Sequence, residues 1–119
     1  CGAESRGFIF GTAIAQSLSA GFVPIRKPNK LPFSKHSVEY GLEYGTDTLE
    51  IHTDAITKGQ RVLMVDDLLA TGGTLKACLD LINKLGGDII GVTVLIELEF
   101  LKGREKCKPW DAIHAVVKV

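Results

Sequence analysis

No one sign of charge dominates this sequence. Its 119 residues carry 14 basic and 14 acidic side chains, a formal net charge of zero. A neutral chain has no global field with which to gather polyanions, so nucleic acid is not an expected partner. Long apolar runs are also missing, and the first residues lack a signal-peptide pattern, so no membrane association is expected. Cysteine is scarce. Cys1, Cys78 and Cys107 are odd in number and far apart, which fits neither a zinc knuckle nor a disulfide framework. A reduced, cytoplasmic setting follows as the expectation. His36, His52 and His114 are scattered without metal-ligand spacing, and there are no internal repeats or low-complexity tracts.

What is present is ordinary in bulk. Apolar residues make up 45% and charged residues 24%, within the usual range for a globular protein. The length suits one domain, residues 1–119, with a real core. The first seven residues read as the end of a strand and a loop. A helix is expected over Phe8 to Leu18, closed by Gly21. Phe22 to Ile25 reads as a short strand, placed at an edge by Pro24, and residues 27–32 form a proline-rich basic loop. Val38, Tyr40, Leu42 and Tyr44 alternate with polar residues, as do Leu49 and Ile51. With Gly45-Thr46-Asp47 as the turn, they predict a β-hairpin.

After a turn at Gly59, Arg61 to Val65 reads as a buried central strand. Thr74 to Leu85 forms a helix with Leu75, Cys78, Leu79, Ile82 and Leu85 on one side, ended by Gly86-Gly87. Cys78 is expected to fill core rather than to react. Asp88 to Leu98 and Ala112 to Val119 complete the strands. This order predicts an α/β fold with a mostly parallel sheet flanked by helices.

The chemistry concentrates behind the central strand. Asp66 and Asp67 stand at its carboxyl end, the edge at which open α/β sheets bind ligands. Two adjacent acids there need hydroxyls, cations or solvent as partners, and a ribose diol offers two donors. Ala70-Thr71-Gly72-Gly73-Thr74 then leads directly into a helix. Paired glycines let backbone N–H groups curl around an anion, and the helix start and two threonine hydroxyls add to the attraction. No lysine stands in the P-loop position, so a single phosphate fits best. An ordinary turn with a threonine cap is the alternative for the loop alone. The buried strand and paired acids before it favour the phosphate reading.

Together, these residues resemble the phosphoribosyl pyrophosphate (PRPP) motif of type I phosphoribosyltransferases. The resemblance implies that the two acids hold the ribose hydroxyls and the loop cradles the 5′-phosphate. Glu4-Ser5-Arg6-Gly7-Phe8 resembles that family's pyrophosphate loop, which often contains a non-proline cis peptide. Taken alone, Arg6 reads more readily as a surface arginine near a helix start. In order along the chain, Glu4 to Phe8, Ile25 to Pro32, Leu42-Glu43-Tyr44-Gly45 and Leu101-Lys102-Gly103-Arg104-Glu105 resemble segments of adenine phosphoribosyltransferases. The similarity runs from Gly2 to the C-terminus.

The resemblance implies conversion of adenine and PRPP to AMP and pyrophosphate in purine salvage, with Mg²⁺ carried on PRPP and a homodimer as the assembly. It implies a protruding β-hairpin over the site, with Glu43 as acid/base and Tyr44 packing at the closed site. A solvated strand glutamate and a cross-strand aromatic are the simpler readings of those two. Ser5, Arg6, Arg26 and Lys30 would bind the leaving pyrophosphate, some from a neighbouring subunit. Leu98 would line the base pocket, or simply pack in the core. Members of the family carry a substantial segment ahead of Glu4 that supplies part of the hood over the base. Without it, the sugar-phosphate site is expected to be complete and the base site incomplete. Two other readings stand beside this one. A PRPP or nucleotide sensor, like purine-repressor effector domains, would keep the loop without needing Glu43, and a related enzyme would take a 6-oxopurine.

Overall fold

A computed structural model of the chain describes residues 1–41 and 45–119. The strands β1 (Gly2–Ala3), β2 (Pro24–Ile25), β5 (Arg61–Leu69), β6 (Asp88–Glu97) and β7 (Ile113–Lys118) form one sheet in the order β2-β1-β5-β6-β7. Every pairing within it is parallel. The strands β3 (Lys35–Gly41) and β4 (Thr46–His52) pair antiparallel as a separate two-stranded sheet. Parallel neighbours need crossover connections. Helix α1 (Arg6–Ser17) joins β1 to β2, and helix α2 (Gly73–Lys84) joins β5 to β6. A 3₁₀ turn (Glu99–Leu101) and the short helix α3 (Gly103–Lys106) lie between β6 and β7.

The expected central strand is central, third of five, with Val62, Met64 and Val65 buried. It does not stop at Val65. Asp66, Leu68 and Leu69 pair with Val94, Ile96 and Glu97 of β6, so the acids lie within the ladder rather than after it. Helix α2 buries Leu75, Cys78, Leu79 and Ile82 at helical spacing, together with Ala77 and Leu81. Its apolar face is wide because it packs between two sheets. Leu49 and Ile51 of the hairpin share one core with Met64, Val92 and Val94 of the main sheet. The hairpin is tied to the sheet edge where Arg26 and Glu50 exchange backbone hydrogen bonds of 2.9 and 2.8 Å.

Boundaries in the hairpin and at helix α1 also differ from the sequence expectation. In the hairpin, Thr46 and Asp47 belong to β4, opposite Gly41 and Tyr40, rather than to the turn. Helix α1 is closed by Ser19, not Gly21. Ser19 takes φ 52°, and the Ala20 N–H reaches back to the Ala15 carbonyl at 2.8 Å. This is the wrapped C-terminal motif that glycine usually completes, as Gly86 does at φ 81° after α2. A serine in the left-handed region carries a cost of roughly 1–2 kcal/mol, partly offset by its lower unfolded-state entropy. Ser19→Gly is therefore expected to stabilise the chain by about 0.5–1 kcal/mol, read as a higher urea midpoint with an unchanged slope.

Candidate active site

The crossover from β1 runs to one side of the sheet and the crossover from β5 to the other. The loops leaving these adjacent strands diverge and open a crevice at their carboxyl ends. A cavity of about 420 Å³ occupies it, lined by Glu4, Ser5 and Arg6 after β1, by Asp66 and Asp67 of β5, by Ala70 to Thr74, and by Lys27. The Glu4–Ser5 peptide is cis, as the family resemblance implied.

One wall of the cavity is Ala70 to Thr74. Gly72 takes φ 86° and precedes the first residue of α2, where backbone N–H groups have no helical acceptor. Thr71 is exposed at the cavity. The Thr74 hydroxyl lies 3.4 Å from the Tyr40 hydroxyl of the hairpin. The residue types and spacing read from the sequence converge here on one concave surface.

The acid pair forms the floor. Successive strand residues point to opposite faces, so the two carboxylates have different surroundings. Asp66 is buried, and its Oδ1 accepts the Asp67 N–H at 2.9 Å. Burial, reinforced by the neighbouring Asp67 carboxylate, raises Asp66 to about 7, against the opposing pull of that N–H and of Arg6. Asp67 faces Arg6, with Oδ2 2.7 Å from Nε. Arg6 is 71% exposed, and an ion pair this open contributes under about 1 kcal/mol. A ligand with its own diol and anion can separate the two at little cost.

The other expected cations are gathered differently. Arg26 Nε donates to Glu4 Oε1 at 2.8 Å, and Lys30 pairs with Glu4 Oε2. Arg26 and Lys30 therefore stand behind Glu4 and are not among the residues lining the cavity. Burial opposes the charge on Glu4, but these two cations hold its carboxyl below the usual range. Lys27 does line the cavity and pairs with Asp47 of β4. Sequence reasoning noted its charge without assigning it to the site; its place in the proline-stiffened basic loop was the available signal. Leu98 follows β6, its N–H bonded to the Leu69 carbonyl at 2.9 Å. It is half-buried and does not line this cavity. Glu43 and Tyr44 lie outside the described residues. Among the described residues, no group of three potential ligands is placed to cage a metal, and no helix is long and apolar enough to cross a membrane.

A parallel α/β sheet whose crevice holds an acid pair and a glycine loop leading into a helix is an architecture suited to binding a sugar phosphate. The family model described as a phosphoribosyl transferase domain matches residues 1–118. Adenine phosphoribosyltransferase of Acetivibrio thermocellus is 63% identical over 117 residues, covering 98% of this chain and 68% of that protein. The crystal structure of the Thermoanaerobacter pseudethanolicus adenine phosphoribosyltransferase superposes with a TM-score of 0.96 at 53% identity, covering 99% of this chain and 68% of that one. The Saccharomyces cerevisiae adenine phosphoribosyltransferase, complexed with an imino-altritol bisphosphate and adenine, superposes with a TM-score of 0.92 at 42% identity, covering 97% and 64%. The chain belongs to the phosphoribosyltransferases, and among them to the adenine phosphoribosyltransferases. It spans about two thirds of the length of these relatives.

Proposed function

We propose that the protein transfers the 5-phosphoribosyl group of PRPP to adenine, giving AMP and pyrophosphate for purine salvage. The observation that carries this reading is the convergence of Asp66, Asp67, the Ala70–Thr74 loop, Ser5 and Arg6 on one crevice. The backbone N–H groups and hydroxyls of residues 70–74 would hold the 5′-phosphate, and Asp66 and Asp67 the ribose hydroxyls. Ser5 and Arg6 would bind the pyrophosphate directly. Arg26 and Lys30 would contribute to it by releasing Glu4, or through a second copy in a homodimer. We read Glu43 as the acid/base at the purine, Tyr44 as packing at the closed site and Leu98 as lining the base pocket. A cytoplasmic location is part of the same reading.

Breaking the bond from C1′ to the diphosphate oxygen builds positive charge on the ribose ring. Carboxylates at Asp66 and Asp67 would stabilise it, and Arg6 and Lys27 would stabilise the departing anion. These two carboxylates also suit the oxygen-donor chemistry of Mg²⁺ and its water shell. When carried on PRPP, that ion supplies neutralisation of the leaving group. A hairpin closing over the crevice would exclude water, which could otherwise hydrolyse PRPP.

The test is AMP formation from adenine and PRPP with Mg²⁺ by the intact protein, read beside a panel of 6-oxopurines. Asp67→Asn and Glu43→Gln should each lower kcat/KM by about a hundredfold or more. PRPP binding without transfer to any base would instead mark a sensor. Transfer only to a 6-oxopurine would reassign the substrate.

A further inference from the structure

The segment Leu101-Lys102-Gly103-Arg104-Glu105 lines no part of the cavity, yet its backbone touches the phosphate loop from behind. A Cβ built on Gly103 would lie 2.3 Å from the Ala70 carbonyl oxygen and 3.1 Å from the Gly72 nitrogen. A Cβ built on Gly72 would in turn lie 2.3 Å from the Gly103 carbonyl oxygen. The two main chains abut, with Leu69 Cδ1 2.8 Å from the Cβ built on Gly103 and Cys107 Sγ 4.0 and 3.5 Å from the Gly72 and Gly103 carbonyl oxygens. Gly103 is buried, and the residue before it, Lys102, takes φ 52°.

Arg104 anchors this contact to the sheet. Its Nε and Nη2 donate to Glu97 Oε1 and Oε2, each at 2.6 Å, and its Nη1 donates to the Ile113 carbonyl at 2.7 Å. That is a paired, charge-assisted fork, the strongest geometry available to a guanidinium. Glu97 is 4% exposed and sits at the end of β6, paired with Leu69, the residue immediately before the phosphate loop. The guanidinium holds the Glu97 carboxyl below its usual range, outweighing burial. One guanidinium therefore joins two adjacent strands, Glu97 at the end of β6 and Ile113 at the start of β7, and Glu97 in turn pairs with Leu69 of β5.

We propose that Arg104 is a positioning residue for the 5′-phosphate: gripped by Glu97 and Ile113, it presses Gly103 against Gly72 and presets the Ala70–Thr74 loop in its anion-binding shape. The inference rests on the PRPP reading above. Neither Arg104 nor Glu97 needs to touch the ligand. If the fork is lost, Gly103 can recede, the loop gains freedom, and its N–H groups no longer converge in advance.

The measurement is calorimetric titration of the intact protein with PRPP and with ribose 5-phosphate, beside steady-state kinetics for both substrates. Arg104→Met and the milder Glu97→Gln should weaken PRPP and ribose 5-phosphate about tenfold to a hundredfold. The KM for PRPP should rise while the KM for adenine stays within about twofold, the split that general loosening would not produce. Arg104→Lys should recover little, because an ammonium cannot make the fork. Unchanged PRPP affinity in both folded variants, or a parallel rise in both KM values, would overturn the positioning role. If the unaltered protein bound neither phosphate ligand, the PRPP reading itself would fall, and this inference with it.

Discussion

Gly72→Ala should reduce PRPP affinity by at least about a hundredfold and destabilise the fold by ~3 kcal/mol or more, while Gly73→Ala, one residue on, is tolerated. Gly72 holds φ 86°, a conformation that costs a residue bearing a Cβ roughly 1–2 kcal/mol. Steric exclusion adds to this. The new methyl would meet the Gly103 carbonyl oxygen at 2.3 Å. That oxygen belongs to backbone held by the Arg104 fork, so it cannot swing aside as a flexible side chain would. Either the loop moves outward, spoiling the convergence of its N–H groups, or the segment behind it moves and breaks buried contacts. At Gly73 a Cβ would meet Tyr40 at 3.6 Å and the Gly41 carbonyl oxygen at 3.7 Å, ordinary van der Waals contact. Alanine also suits the first turn of α2 better than glycine, by up to ~1 kcal/mol. Urea denaturation and PRPP titration of the two variants give the comparison. Equal losses would show that any side chain in the loop is harmful and that the backbone contact with Gly103 is not the reason.

Asp66→Asn is expected to make the protein more stable at pH 8 and less able to bind PRPP. The carboxyl of Asp66 is raised from an ordinary 3.8 to about 7, first by burial and then by the adjacent Asp67 carboxylate. Below about pH 4 both the native and unfolded chains hold the proton. Between about pH 4 and 7 the unfolded chain has lost it while the native chain keeps it, so stability falls as the pH rises. Above about 7 the full cost of a buried carboxylate stands. The gap between the two values corresponds to about 4 kcal/mol as an upper bound. Asparagine carries no such cost. Its advantage should be near zero at pH 4 and grow to a few kcal/mol at pH 8, with the loss of an ionised acceptor for the ribose hydroxyls as the functional penalty. Urea midpoints at the two pH values decide the matter. An advantage independent of pH would mean that the gain has a source other than the ionisation of Asp66.

The strand, acid pair and glycine loop were legible because each is written in consecutive residues. Val62 to Val65 are apolar on both faces, which only a central strand satisfies. Asp66 and Asp67 follow it directly, and Gly72-Gly73-Thr74 supply the backbone freedom and hydroxyl that a phosphate loop needs. The same locality made Gly86 readable as the end of α2 and Pro24 as the mark of an edge strand. Where a local signal had a competitor, it failed. Gly21 looked like the end of α1, but the chain wraps two residues earlier at Ser19. Pairing with a long β6 likewise carried β5 past Val65 to Leu69.

What tertiary structure alone decided is which distant groups meet. Four cations, Arg6, Arg26, Lys27 and Lys30, are equivalent by charge. Only the packing of the loops around the crevice gives Arg6 to Asp67, Arg26 and Lys30 to Glu4, and Lys27 to Asp47. The contact of Gly72 with Gly103 was equally invisible: Gly72 was legible as an anion-loop glycine, but nothing local to either residue marks the other as its neighbour until the fold brings one backbone against the other. The sequence by itself determined the acid pair and the glycine loop at the end of the central strand, because backbone freedom, strand burial and charge type are properties of neighbouring residues. The fold decided how that site is braced and which charges are already paired, because partners in a parallel sheet are set by crossovers that bring remote loops to one edge.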